Sequence, residues 1–417
     1  MEAFTVGVVR NCRHGPVLLR AMPEKRVVWR VIDQLHEKAL LPAGINDVLS
    51  PDAAFEAATL ERLIAVFTGY GYQRVKPPLI EFEENLLAGL GAAMGEQTFR
   101  LMDPVSQRMM GVRADMTPQV ARIAATRLAG TPRPLRLSYA GQVLRVTGSQ
   151  LRPERQFAQV GAEIIGADES AADSELVRMA TTALTALGVE RLSVDLGIPT
   201  LVPTFCTEAG LNADLQGRLR PHLDRKDVAA IKAMATDIGD DAATTLAAML
   251  TASGPAEQAL AALNALNLGP KASAERTALA DVVDLVSRGA TDLPLTIDAV
   301  ENRGFEYHSG VTFTFFALGV RGELGTGGRY LTSLNGDAKE PATGLTLFMD
   351  SVLRALDRGE TPRRLYLPHG STADAAPWRA EGWAVIEGLK PAADAAIEAR
   401  RLGCTYVVDG EDIHQLT

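Results

Sequence analysis

The spacing of apolar and polar positions changes several times along the 417 residues, and each change marks a new element. Ser50-Pro51 sets a capping residue ahead of a proline, and Leu60, Leu63, Ile64 and Phe67 then recur at helical spacing until Gly69 or Gly71. The next stretch, GYQRVKPPLIEF, reads as a strand broken at Pro77-Pro78; proline cannot donate to a sheet ladder, which predicts an edge strand or one that stops there. From Leu135 to Ala167 the period becomes two, in LRLSY, QVLRVT and QFAQVGAEIIGA. This predicts antiparallel strands with a long loop between Thr147 and Gln156. Ser170 and Asp173 have the spacing of a capping box, Leu176, Ala180, Ala183 and Leu187 form an apolar stripe, and Gly188 supplies the stop.

RLSVDLGI predicts another strand. Residues 200–290 are rich in Ala and Leu, with turn signals at Gly239-Asp240 and Gly254-Pro255, and predict a helical insert of four or five short helices. Strand patterns resume in LPLTIDAV and EYHSGVTFTFFAL, then the glycine-dense GELGTGGRY, then GLTLFMDSVLRAL, a strand running into a helix. After about residue 360, LYLP, WAVI, AADAAIEARRLG and TYVV alternate as a small α/β unit. Strands, a helical insert and strands again imply an α+β protein with a mixed, mainly antiparallel sheet flanked by helices.

Composition narrows the classes. The net charge of −9 weighs against an extended nucleic-acid surface, which needs clustered Lys and Arg. No run approaches the roughly 18 to 20 apolar residues of a membrane helix. The first residues lack a long apolar stretch and a small-residue cleavage site, so the cytoplasm is the expected location. Cys12, Cys206 and Cys404 lie too far apart in sequence to suggest a metal knuckle or redox pair.

Four segments offer chemistry. In QFAQVGAEIIGA, Phe157, Gln159, Gly161 and Glu163 share one face and Ala158, Val160, Ala162 and Ile164 the other. A glycine between two polar residues leaves room for a ligand against the sheet, and Arg145 on the preceding strand would reach an anion; a solvated sheet face is the plainer alternative. VRADMTPQVAR places Arg113, Asp115 and Thr117 at alternate positions before a helix. Asp and Thr together organise an ammonium, or simply cap the helix. NRGFEYHSG carries Arg303, Tyr307 and His308, where a lone His in an aromatic strand also suits a core. GTGGRY lacks the Lys-Ser/Thr of a phosphate loop and reads as close backbone approach.

The order and spacing of these segments resemble histidyl-tRNA synthetase, a class II aminoacyl-tRNA synthetase, over about residues 40 to 357. LPAGINDVL with GYQRVKPPLIE is similar to its opening and motif 1, VRADMTPQVAR to its arginine-proline-glutamate-glycine-threonine segment, and VLRV with RPERQFAQVGAE to motif 2. NRGFEYHSGVTF resembles its arginine-glycine-leucine-aspartate-tyrosine-tyrosine segment, and ATGLTLFMDSVLRAL lies at motif 3. The resemblance implies a core at residues 40–199 and 290–357, a helical insertion at 200–289, a small remnant of the anticodon-binding domain at 358–417, and an N-terminal extension of unassigned order at 1–39.

It also implies a histidine site. Asp115, Thr117 and Gln159 would meet the amino group, Glu163 and Tyr307 the imidazole, with His308 in place of a second Tyr. Arg303 and Arg145 lie where the carboxylate and α-phosphate would be. The ATP half departs from the family. Ser351 stands at the motif 3 arginine, Arg354 follows about 4.5 Å further along a helix, and Thr147 stands where a glutamate reads adenine. Each lost charge-assisted bond is worth roughly 1.5–3 kcal/mol, so activation of the amino acid is expected to fail.

A kept amino-acid half beside a lost ATP half, together with the YHSG variant, resembles the regulatory subunits of ATP phosphoribosyltransferase. That resemblance implies a non-catalytic chain with no metal or cofactor, partnered by the short-form catalytic subunit as a homodimer within a hetero-octamer. L-histidine would be its effector and tRNA would not bind. A divergent working synthetase and a histidine-sensing module for another partner are the alternatives. Histidine-dependent exchange of pyrophosphate into ATP would identify the first, and failure to co-purify with a short phosphoribosyltransferase would favour the second.

Overall fold

The period-two segments assemble into one nine-stranded sheet. The computed structural model describes residues 41–150, 152–301, 307–332, 339–358, 363–410 and 412–416. Residues 1–46 separate as a unit of their own, and the expected extension at 1–39 lies outside the described residues. In chain order the sheet contains β1 (Gln73–Arg74), β2 (Leu135–Leu144), β3 (Gln156–Ile165), β4 (Leu192–Gly197), β5 (Ser253–Pro255), β6 (Leu295–Asp298), β7 (His308–Ala317), β8 (Gly325–Thr332) and β9 (Glu340–Phe348). Its spatial order is β1-β2-β3-β9-β8-β7-β4-β6-β5. Parallel pairing occurs at β1–β2 and β4–β6, and the central run from β2 through β4 is antiparallel throughout. The mixed, mainly antiparallel α+β reading therefore holds.

Pro77-Pro78 acts as expected. The segment before it is the edge strand β1, and the segment after it, Ile80–Phe82, leaves for a separate three-stranded sheet with Arg100–Met102 and Met109–Val112. LRLSY and QVLRVT, expected as two strands, are one ten-residue strand that ends at Leu144. Arg145 and Thr147 lie just beyond it, and the Arg145 N–H donates to the Arg155 carbonyl at 2.8 Å.

Helix α1 (Asp52–Gly69) buries Leu63, Ile64 and Phe67, and α3 (Ser170–Leu187) buries Leu176, Ala180 and Ala183 against the same sheet face. Gly188, at φ 101°, closes α3, with the Val189 N–H returning to the Leu184 carbonyl at 3.0 Å. The capping box is corrected. Ser170 is already helical, the position before it is Glu169, and no side chain caps the helix. Asp173 instead turns inward to a buried arginine, Arg329.

The insert is helical but larger than four or five short helices. Seven helices run from Leu201–Glu208 to α4 (Pro270–Gly289), which is 20 residues long. Gly254-Pro255 is not a turn but part of the edge strand β5, which pairs with β6. The apolar faces of the insert join α1, α3 and the Ala158, Val160, Ala162, Ile164 face of β3 in one continuous core. On the opposite face, a second cluster includes Leu137, Tyr139, Phe157, Tyr330 and Phe348 and is covered by α2 (Thr117–Thr126) through Val120 and Ala124. The last strand runs directly into α5 (Met349–Arg354). Beyond it, Arg364–Leu367, Ala384–Glu387, Tyr406–Asp409 and Asp412–Gln415 form a four-stranded sheet with two short helices.

Candidate functional site

Cross-strand register determines what meets on the α2 side of the sheet. Leu137, Glu163, Gly344 and Gly328 lie side by side across β2, β3, β9 and β8, and the neighbouring row is Tyr139, Gly161, Thr346 and Thr326. Successive side chains alternate between faces, so these residues share one surface. A Cβ on Gly344 would fall 1.6 Å from Glu163 Oε2, and one on Gly328 would fall 2.7 Å from the His308 ring. The glycines thus leave space that the carboxylate and the imidazole occupy. The close backbone approach read from GTGGRY is found at Gly327, whose missing Cβ would lie 2.3 Å from the Gly344 carbonyl.

Glu163 is 1% exposed. The Tyr330 hydroxyl donates to its Oε2 at 2.8 Å and the Tyr139 hydroxyl to its Oε1 at 3.1 Å. Burial pushes the carboxyl up to about 8 despite these hydrogen bonds, which pull the other way. Burial, and then the Glu163 charge, raise both phenols well above their ordinary value. Burial thus favours the protonated carboxyl, which can donate as well as accept.

Asp115 and Thr117 meet this cluster at the start of α2. Asp115 Oδ1 accepts the Thr117 backbone N–H at 2.9 Å, its Oδ2 accepts Gln159 Nε2 at 2.8 Å, and Gln159 Oε1 accepts the Met116 N–H at 3.2 Å. The Thr117 hydroxyl lies 3.1 Å from that of Tyr139. Asp115 both braces the helix start and presents charge to the site.

A cavity of about 140 Å³ opens among these groups, lined by Asp115, Thr117, Arg145, Glu163, Tyr307 and His308, with Tyr330, Thr346 and Phe348 completing the wall. At about 30 Å³ per liquid water it holds roughly five waters, and it falls below the roughly 300–1,000 Å³ typical of drug-sized ligands. It is the size of a single amino acid. Arg145 hangs beside it, its Nε donating to the Ala114 carbonyl at 3.3 Å and its guanidinium 5.1 Å from the Phe157 ring centroid. Tyr307 and His308 stack at 4.0 Å. A larger, wide-open hollow of about 780 Å³ lies at the ends of α3 and α4, with its charged groups Arg191 and Asp292 exposed. It gathers no comparable set of buried polar groups.

Of the eight expected ligand residues, six line the cavity, Gln159 stands behind Asp115, and Arg303 lies outside the described residues. Two readings change. Arg113 faces away from the cavity, donating to the carbonyls of Gln142 at 2.8 Å and Pro77 at 3.0 Å. The space over Gly161 is not left for a ligand: a Cβ there would meet the Tyr139 hydroxyl at 2.3 Å. That hydroxyl crosses the glycine to reach Thr346 Oγ1 at 2.9 Å. No spacing within one segment points to Tyr139, Tyr330 or Thr346, although Tyr139 has the same strand parity as Arg145. Gly344→Ala is expected to displace Glu163 and weaken ligand binding at least about tenfold, as read by calorimetric titration with histidine; unchanged affinity would show that the carboxylate need not sit there.

At the far side of Phe348 the charges are paired with one another. Arg152 donates to Asp350 Oδ2 at 3.0 Å, Glu323 Oε1 at 3.1 Å and Ser351 Oγ at 3.4 Å. Arg354 reaches Ser351 Oγ at 3.0 Å. Thr147 is engaged by Gln97, whose Oε1 accepts its hydroxyl at 3.2 Å.

A sheet of this order with such a pocket on one face defines a class II aminoacyl-tRNA synthetase-like protein, and the model of the histidyl-tRNA synthetase family matches residues 44–352. Solved structures agree on the fold. One described as an ATP phosphoribosyltransferase regulatory subunit/histidyl-tRNA synthetase from Bacillus halodurans superposes with TM-score 0.75 at 22% identity, over 87% of this chain and 96% of that one. Histidyl-tRNA synthetase from a Nostoc species gives 0.71 at 17% identity, over 89% and 91%. Among curated proteins, the ATP phosphoribosyltransferase regulatory subunit of Paramagnetospirillum magneticum is 56% identical over 88% of this chain and 96% of its own length. That of Rhodospirillum centenum is 54% identical over 91% and 96%. The chain belongs to the ATP phosphoribosyltransferase regulatory subunit family. Among the described residues no helix is long and apolar enough to cross a membrane.

Proposed function

We propose that this chain is the non-catalytic partner of a short-form ATP phosphoribosyltransferase, is required for that subunit's activity in the first step of histidine biosynthesis, and transmits feedback inhibition by L-histidine bound in the 140 Å³ cavity. The observation that carries the reading is the contrast within one site. On one side stand a buried carboxyl, two phenols, Asp115 and Arg145 around an amino-acid-sized space; on the other, Asp350, Glu323 and Ser351 engage the Arg152 guanidinium.

The chemistry of each side supports this. Histidine's ammonium suits Asp115 and Thr117, its carboxylate suits Arg145, and its ring suits Glu163 between Tyr139 and Tyr330. A triphosphate needs uncommitted cations to neutralise it in the transition state, whereas the Arg152 guanidinium already faces two carboxylates. Aminoacylation by this chain is accordingly expected to be absent. Histidine inhibits only if it binds the less active assembly more tightly.

The test is to combine the chain with the short catalytic subunit, ATP and phosphoribosyl pyrophosphate and to titrate histidine, with wild type and Glu163→Ala in parallel. The expected result is activity that depends on this chain and is inhibited by histidine, with inhibition lost in the variant. Equal inhibition in both would move the effector site elsewhere, and a histidine-insensitive wild-type assembly would overturn the mechanism.

A further inference from the structure

We propose that Arg152 is a positioning residue that closes one end of the cavity through Phe348, so that the site admits an amino acid with an unextended carboxyl and rejects carboxyl-extended derivatives; this rests on the histidine reading above. Phe348 and Arg145 both line the cavity, and Phe157 lies against each, 5.1 Å from the Arg145 guanidinium and 6.2 Å from the Phe348 centroid. Among the described residues Arg145 is the guanidinium that lines the cavity, and a ligand carboxylate drawn to it lies on the Phe157–Phe348 side. Directly behind that ring lies Arg152, its guanidinium 3.8 Å from the Phe348 centroid and 5.4 Å from that of Phe157. Phe157 meets Phe348 edge-on at 6.2 Å.

The guanidinium is fixed in place. Arg152 is 7% exposed, its Nε donates to Asp350, and its Nη2 donates to Glu323 and Ser351. Its own backbone is turned back by Ser149, whose hydroxyl accepts the Arg152 N–H at 3.0 Å and whose N–H donates to the Arg152 carbonyl at 2.7 Å. A planar cation stacked on an aromatic face within about 6 Å is attractive, more so when shielded from water. The Phe348 backbone is fixed as well, its N–H donating to the Leu324 carbonyl at 2.8 Å. An ester or acyl phosphate on the ligand carboxyl would have to displace this ring and break up the buried ion cluster behind it. The selectivity comes from the arginine although the arginine does not touch the ligand.

Calorimetric titration of the full chain with L-histidine, histidine methyl ester and histidine benzyl ester tests this. Both esters lack the carboxylate charge and differ in bulk, so their ratio isolates closure from charge. Wild type is expected to bind the benzyl ester at least about tenfold more weakly than the methyl ester. In Arg152→Ala that ratio is expected to shrink to about threefold or less, with histidine affinity changed by less than about threefold. Because this variant strands Asp350 and Glu323, Phe348→Leu is made alongside it and is expected to lower the ratio in the same way whether or not the first variant folds. A wild-type ratio near one, or a folded variant of either kind that keeps the wild-type ratio, overturns the proposal while leaving the histidine site standing. Absence of any histidine binding overturns the underlying reading, and the proposal with it.

Discussion

Arg329→Met is expected to destabilise the protein by about 3–5 kcal/mol at neutral pH, the cost typical of removing one partner from a buried ion pair. Arg329 and Asp173 are 9% and 2% exposed, and Arg329 Nη2 lies 2.7 Å from Asp173 Oδ2. The same guanidinium also donates to the carbonyls of Ala167 at 3.1 Å and Glu169 at 2.9 Å. It therefore ties β8 to the turn that leads from β3 into α3. Burial already raises the Asp173 carboxyl, and Arg329 is the main influence holding it down. Without Arg329 the folded carboxyl would titrate still higher, above its unfolded value. The stability associated with its protonated form would then be lost as pH rises through that higher value, so the deficit of the variant should be smallest in acid and largest above neutrality. Urea unfolding at several pH values reads this directly, and Arg329→Met combined with Asp173→Asn should recover most of the loss. A single variant with wild-type stability at pH 8 would show that the pair contributes little.

Between pH 4.5 and about 8 the wild-type protein is expected to lose stability as Glu163 is forced to ionise in its buried site. The folded carboxyl holds its proton more tightly than the unfolded one, so the folded state binds more protons across this window and stability falls as pH rises through it, levelling off above the folded value. Tenfold in proton affinity is about 1.4 kcal/mol, which makes the full effect roughly 5 kcal/mol. Glu163→Gln keeps a donor and an acceptor for Tyr139 and Tyr330 but cannot ionise. It should be more stable than wild type at pH 8.5, about equal at pH 5, and impaired in histidine binding. Parallel pH profiles of the two proteins that do not converge in acid would assign the effect to another group.

The sequence made much of the fold legible because its signals were local. Pro77-Pro78 stops a strand wherever it falls, Gly188 stops a helix, and strict alternation from Gln156 to Ile165 separates a core face from a site face before any neighbour is known. Asp115, Thr117, Glu163 and Tyr307 were legible only through their order along the chain, which the family resemblance supplied. What remained hidden depended on register. Tyr330 and Tyr139 reach Glu163 because β8 and β2 place them beside it, and no spacing within one segment states that alignment. The capping box failed for a related reason: Asp173 had a stronger partner 156 residues away. The insert was undercounted because an Ala- and Leu-rich stretch carries few breaks to count.

The Tyr139 phenol lies across Gly161, at the position where any other residue would begin its side chain, and ends on Thr346. The two positions cannot vary independently. A larger residue at 161 requires a smaller one at 139, and either change alone disturbs the contacts of Tyr139 with Glu163 and Thr346, which line the cavity. Across descendants of this chain the pair should be inherited as a unit, and a lineage that has once acquired the bridge has no neutral single step by which to leave it.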